Sequence, residues 1–311
     1  MPDYRSLIDA PTWAFIDRTA AAYPPDAVGL SIADQRRVYD DLCRAFFQGY
    51  PPGVAVEDAP VAGVPCRHYR PEGAGAGTVV YFHGGGFVVG GLHSHDDVCA
   101  EIAARTRRYT VSADYRLAPE HPHPAAFEDA LAVALALAAA PGPLVLAGDS
   151  AGGNLAAAVA HAGRARGMRP AGQVLIYPGL GGDRTSGSFV THAEAPMLTA
   201  ADIAFYARTR YPAGEPIGDV TAYPLHDTDF SGLPPTVIVT AECDPLASDG
   251  PAYAARINAA GGRAVSFEEA GLVHGYLRAR VTVPRAAESF TRIVNAIAAL
   301  ASGGWPYGGP G

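Results

Sequence analysis

Apolar residues recur with two different periods along this chain. Up to about Tyr50 they fall at helical spacing, with Leu7, Ile8, Trp13, Phe15 and Ile16 early and Val38, Leu42, Phe46 and Phe47 later, and Pro51 and Pro52 then close the segment. Beyond it, short continuous apolar or β-branched runs alternate with alanine-rich helical ones. Strands are expected at 61–69, 78–82, 108–113, 144–147, 173–177, 236–241 and 264–267, and helices at 127–139, 155–160, 251–260 and 286–300. The turn PEGAGAG separates the first two strands, so the sheet is expected to begin like a hairpin. The later alternation implies an α/β fold, with a mostly parallel sheet flanked by helices on both faces. No internal repeat interrupts it.

One interval departs from the pattern. Residues 179–235 are rich in Gly, Pro, Tyr and Asp and carry a single helical stretch at 200–209. An excursion of that length usually holds a functional insertion, and it is expected to cover the active site together with the N-terminal segment. The glycine-rich end, SGGWPYGGPG, reads as a loose tail.

Composition narrows the classes of function. The chain has 311 residues, 49% of them hydrophobic, enough to bury a large core in one α/β domain with an appended segment. Its formal charge of -8 comes without a Lys/Arg block, which argues against nucleic acid and against an anionic-lipid anchor. No apolar stretch approaches the roughly 20 residues of a membrane span, and the first residues lack a basic start before an apolar run. A soluble cytoplasmic protein is expected. Cys43, Cys66, Cys99 and Cys243 are scattered without metal-type pairing and read as small buried apolar residues in a reducing compartment.

The candidate chemistry centres on VLAGDSAGGN. A strand turning sharply into a helix while exposing a side chain at the turn needs small neighbours, and Ser150 has Gly148 and Gly152 on either side. No other serine has glycine at both positions. A serine hydroxyl is a poor nucleophile near neutral pH and needs a histidine within hydrogen-bond reach, oriented by a carboxylate. Of the histidines after Ser150, His161 lies inside the helix behind the turn and points away, and His192 and His226 fall in the expected insertion. His274 follows the last expected strand, with Gly275 leaving room for its ring to turn inward. Asp244 follows the β-branched run TVIVTA at a strand's carboxyl end, but Glu242, Asp249, Glu268, Glu269, Asp227 and Asp229 compete with it. Asp149, beside the serine, reads as a structural anchor.

The segment HGGGF at 83–87 ends the apolar strand VVYF. Consecutive glycines there let backbone N–H groups approach a ligand unobstructed, and two of them with the amide of Ala151 would form an oxyanion hole. The spacing fits no phosphate-binding loop. His93, His95 and Asp96, like His121 and His123, sit beside turns with no third ligand indicated, so no metal is expected.

Together these residues resemble the hormone-sensitive lipase-like branch of the α/β-hydrolase superfamily, the bacterial family IV esterases. HGGGF, DYRLAPEHPHPAAFEDA at 114–130, GDSAGGN at 148–154, DPL at 244–246 and HGY at 274–276 stand in the family's order. The resemblance implies Ser150 as nucleophile, His274 as general base and acid, Asp244 as its orienter, and the amides of Gly84, Gly85 and Ala151 as oxyanion donors. It also implies a helical cap. The chain is then divided into an N-terminal cap segment at 1–52, a catalytic domain at 53–303 with a cap insertion at about 180–217, and a tail at 304–311. Where the family has two acidic residues after DPL and a spacer, this chain has Ser248 and Asp249, the latter preserving the second. The implied activity is a cofactor-free carboxylesterase for short-acyl esters, with Phe87, Trp13, Phe205, Tyr206 and Tyr211 as candidate pocket residues and a homodimer through an edge strand as a family analogy. Lactone, amide or acetylated-natural-product hydrolysis, or a small-molecule binding protein that reuses the fold, are the alternatives.

Overall fold

The computed structural model describes residues 2–24 and 26–308. Its strands are β1 Val54–Asp58, β2 Cys66–Pro71, β3 Gly75–Phe82, β4 Arg108–Ala113, β5 Leu144–Asp149, β6 Gly172–Ile176, β7 Thr236–Cys243 and β8 Ala264–Val273. They form one sheet in the order β1-β2-β4-β3-β5-β6-β7-β8, in which β1, β2 and β4 pair antiparallel and every later pairing is parallel. The helices are α1 Tyr4–Leu7, α2 Ala10–Ala22, α3 Ile32–Phe46, α4 Asp96–Thr106, α5 Ala125–Ala138, α6 Ala151–Arg164, α7 Gly187–Thr191, α8 Ala200–Arg210, α9 Asp249–Ala259 and α10 Pro284–Leu300.

The expected hairpin start does not form. β2 pairs with β1 and β4, while β3 lies between β4 and β5 in the middle of the sheet. The reason is in the side chains. The run VVYF of β3 is apolar on both faces and buried throughout, which suits an interior parallel strand. In β2, Arg67 and Arg70 reach solvent and pair with Asp58 and Glu57 of β1, which suits a place near the edge. β1 and α4 are both absent from the sequence expectations. β1 is a mostly exposed five-residue edge strand, and α4 opens with two aspartates that mask its apolar face.

Strand alternation divides the core into two layers. Val79, Tyr81, Val145, Ala147, Val174, Ile176, Val237 and Val239 face α4, α10 and the N-terminal residues Phe15, Ile16, Leu42 and Phe46. Val80, Phe82, Leu144, Leu146, Leu175 and Ile238 face α5, α6 and α9. In the segment expected to be loose, Tyr307 packs on Phe267 with ring centroids 5.2 Å apart, and Trp305 packs on Tyr307. The last three residues of that segment lie outside the described residues.

Register brings four chain segments to one edge of the sheet. Phe82 pairs with Gly148, Asp149 with Ile176, and Cys243 with Val273. Consequently His83, Ser150, Asp244 and His274, the residues that follow β3, β5, β7 and β8, leave the sheet side by side at its carboxyl end. Close approach makes this possible: a Cβ on Gly152 would stand 1.8 Å from the carbonyl oxygen of Phe82. Gly152→Ala is therefore expected to force β3 and α6 apart and cost at least about 1–3 kcal/mol in urea unfolding. An unchanged midpoint would show that the two backbones are less tightly apposed.

Candidate active site

Ser150 sits between β5 and α6 with φ 53° and ψ -117°, a conformation that L-residues seldom adopt. The turn is held from both sides, since the Ser150 amide donates to the carbonyl of Ile176 and the Asn154 amide donates to the carbonyl of Ser150. The hydroxyl is thereby presented at the N-terminus of α6. His274 Nε2 lies 2.8 Å from Ser150 Oγ, and His274 Nδ1 lies 2.7 Å from Asp244 Oδ2. Asp244 is fully buried, and its other oxygen accepts from the amide of Leu246. The ring of Tyr177 packs against that of His274 with centroids 4.8 Å apart.

The competing carboxylates other than Glu268 are engaged elsewhere. Glu242 accepts from the amide of Gly271, Glu269 pairs with Arg292, and Asp227 and Asp229 lie against Arg164. Asp227 also holds His161, whose other nitrogen meets Tyr253. Asp249 accepts from the amides of Leu180 and Gly182, pinning the start of the long insertion, and burial pushes its carboxyl up to about 6. Of the other histidines, His192 meets Tyr4 and His226 accepts from the amide of Gly218.

Asp149 is the anchor of the neighbouring loop. It accepts from the Tyr81 hydroxyl at 2.8 Å and from the Gly84 amide at 2.9 Å, and its second oxygen lies 3.1 Å from His95 Nε2. Burial pushes this carboxyl up, but the charge and hydrogen bond of His95 and the Tyr81 hydroxyl outweigh it and hold it down to about 2. His83 is buried beneath the same loop and stacks on Tyr115, with burial lowering it to about 4. The Tyr115 hydroxyl donates to the His83 carbonyl at 2.6 Å.

This anchoring corrects one expectation. The Gly84 amide is committed to Asp149, and Gly84 is not on the wall of the cavity above Ser150. Gly85, Gly86 and Ala151 are on that wall, and their amides have no partner among the described residues. The usable amides are thus those of the second and third glycines.

The cavity has a volume of about 470 Å³ and is lined by the N-terminal helices and the long insertion as well as the sheet edge. Of the expected pocket residues, Phe87, Tyr206 and Tyr211 line it. Trp13 and Phe205 do not. Trp13 shares the stripe of Ile16 and Ala20 on α2 but sits one turn nearer the helix start, where it packs on the main core. Phe205 lies off the stripe of Thr199, Asp202, Ile203, Tyr206 and Arg210 that faces the cavity. Tyr39, Leu42, Met197, Leu198 and Arg278 also line it, none of them among the expected pocket residues. For Tyr39 and Leu42 on α3 the only signal is amphipathic spacing, which gives a buried face without saying what it meets; Met197, Leu198 and Arg278 lie outside the α-helices and carry no local signal.

Three histidines of the 93–97 and 121–123 segments have protein partners: His93 meets Asp40, His95 meets Asp149 and His123 meets Asp219. The four cysteines are buried and free. No helix among the described residues is long and apolar enough to cross a membrane.

The family model described as the alpha/beta hydrolase fold matches residues 79–278, nearly two thirds of the chain. The chain belongs to the α/β-hydrolases, in their hormone-sensitive lipase-like branch. It is similar to the carboxylesterase NlhH of Mycobacterium tuberculosis, with 38% identity over 283 residues that cover 86% of this chain and 83% of the relative. It is also similar to an ethyl acetate hydrolase of Pseudomonas putida, with 32% identity covering 75% of this chain and 78% of that one. An ester-hydrolase from the metagenome of Lake Arreo, solved with a bipyridine phosphonate derivative, superposes with a TM-score of 0.84 at 33% identity, covering 94% of this chain and 99% of that one. The chain is an ester-hydrolysing enzyme, a carboxylesterase.

In this esterase the Asp149 carboxyl titrates below that of an unfolded aspartate, near 3.9. Its contribution to stability is whole above about pH 4 and is lost as the pH falls through about 2, on the order of 2 kcal/mol. Urea unfolding between pH 5 and pH 3 is expected to show a smaller loss for Asp149→Asn than for the parent. Equal losses would remove Asp149 as the source.

Proposed function

We propose that this esterase cleaves short-acyl carboxylic esters through an acyl-enzyme on Ser150. The observation that carries the reading is the unbroken hydrogen-bond chain from Ser150 Oγ through His274 to the buried Asp244, with links of 2.8 and 2.7 Å. His274 Nε2 takes the hydroxyl proton as Oγ attacks the ester carbonyl, then gives it to the leaving alcohol. Asp244 holds Nδ1–H and steadies the imidazolium in between. Water then enters where the alcohol left, His274 removes its proton, and the acid is released from Ser150.

Negative charge on the tetrahedral oxygen meets the amides of Gly85, Gly86 and Ala151. They are fixed before reaction, the last at the positive end of α6, so no reorganisation is needed as charge develops. The cradle that keeps Gly84 on Asp149 turns the next two amides toward the substrate.

The short-acyl preference rests on two supports. The cavity volume of about 470 Å³ lies toward the lower end of ligand pockets, and a relative at 32% identity bears the name ethyl acetate hydrolase. Residues 1–52 and the insertion at about 180–217 act as the cap, since α2, α3 and α8 supply Ile16, Tyr39 and Tyr206 to its walls. Four buried free thiols suit a reducing, cytoplasmic setting.

Ser150→Ala is expected to lower kcat on p-nitrophenyl butyrate by about 10⁴-fold or more with no loss in unfolding midpoint. Turnover retained in that variant would end the acyl-enzyme reading. In a p-nitrophenyl ester series, kcat/KM should peak at acetate to hexanoate; a maximum at palmitate would replace the short-acyl preference.

A further inference from the structure

Three arginines line the cavity, and they are not equivalent. Arg184 is paired with Glu215 at 3.0 Å. Arg210 is buried, with its guanidinium over the Phe87 ring at 3.4 Å and one nitrogen 3.4 Å from His123 Nδ1, so its flat face is covered. Arg278 differs from both. It stands one turn beyond His274, on the short helix Tyr276–Ala279, and is only partly buried, unlike Arg210; unlike Arg184, and in this like Arg210, it has no carboxylate within salt-bridge distance among the described residues. Among the described residues the one hydrogen bond of its guanidinium runs from Nη2 to the thiol of Cys43 at 3.4 Å, and the guanidinium lies 5.0 Å from the centre of the Tyr39 ring.

A guanidinium carries five N–H donors in a fork that fits a carboxylate. Here a weak sulfur acceptor takes one of them, in a partly buried place where an unpaired charge is costly. The cavity's own carboxylates make no direct pair with it, although the charge of Asp149 acts on it from farther off. Asp149 is held by Tyr81, Gly84 and His95, Asp202 caps α8 at Thr199, and Asp249 is held by backbone amides. Arg278 thus remains as a cation on the wall of the cavity that holds Ser150, with most of its donors unspent.

We propose that Arg278 is an anion subsite, and that the preferred substrates are short esters that carry a carboxylate of their own. This rests on the acyl-enzyme reading of Ser150 and names its substrate class. The carboxylate enters on either limb of the ester: on the acyl side in half-esters of short dicarboxylic acids, or on the alcohol side in acyl esters of short hydroxy acids. Its charge completes the pairing that Arg278 lacks, and the neutral end meets the apolar wall of Leu42, Met197 and Leu198.

The test compares each anionic ester with its neutral carboxamide twin. Monomethyl succinate, glutarate and adipate, and the acetyl esters of glycolate and 3-hydroxypropanoate, are assayed beside the matching amides by titration of released acid. On at least one limb and length, kcat/KM should favour the anion by about tenfold or more, the scale of one charge-assisted hydrogen bond. Arg278→Met should abolish that ratio and Arg278→Lys should keep part of it. Should Arg278→Met fail to fold, competitive inhibition of the parent enzyme by glutarate but not glutaramide supports the subsite, and equal inhibition overturns it. Amides cleaved as fast as anions at every length, or a ratio unchanged in Arg278→Met, overturns it also. Cleavage of p-nitrophenyl butyrate in the same preparation keeps this failure distinct from failure of the Ser150 reading, which would silence every ester.

Discussion

The carboxylate of Asp149 is the constraint on which the site depends. It ends β5 one residue before Ser150, the proposed nucleophile, yet its partners come from other segments: Tyr81 from β3, Gly84 from the loop after β3, His95 from the residue before α4 and, at longer range, Tyr177 after β6. One buried charge thereby fixes the distance between the serine turn and the glycine loop. Without it the loop amides and the serine would be positioned by separate loops, and the three amides proposed to meet the oxyanion would not be held together. The cost of burying the charge is met by hydrogen bonds and a histidine, which is why the group stays ionised so far below its ordinary range.

The same economy of contact governs the backbone. Glycine at 152 lets α6 lie against the carbonyl end of β3, and the unusual conformation of Ser150 is maintained because bonds on both sides leave it no alternative. The chemistry is thus built on rigid strand ends. What surrounds it is built otherwise. The cavity takes its walls from segments more than a hundred residues apart in sequence, α2 and α3 on one side and the insertion carrying α8 on the other. The catalytic edge can therefore be held constant while the pocket is set by residues with no part in the sheet.

This division explains what the sequence discloses and what it withholds. The serine turn, the glycine run and the order of acid and histidine are local patterns, and each is legible because a strand end needs those residue types within a few positions. The parallel core strands are legible for the same reason, as continuous apolar runs. Gly84 is misread because its amide is claimed by a side chain 65 positions away, which no local pattern records. Trp13 and Phe205 are misread because a periodicity marks the face of a helix but not which turn of it reaches the cavity. The placement of β2 apart from β3 escapes for a related reason: neighbours in sequence need not be neighbours in a sheet. Tyr39 and Arg278 come together only through the fold.

The central claim is that Ser150 becomes covalently acylated because His274 and Asp244 activate it. The most direct measurement is mass spectrometry of the intact enzyme after exposure to diethyl p-nitrophenyl phosphate, followed by peptide mapping. The account predicts one diethylphosphoryl group per chain, on Ser150, formed with loss of esterase activity. Full inactivation with the adduct on another residue, or esterase activity undiminished by stoichiometric labelling of Ser150, would contradict it.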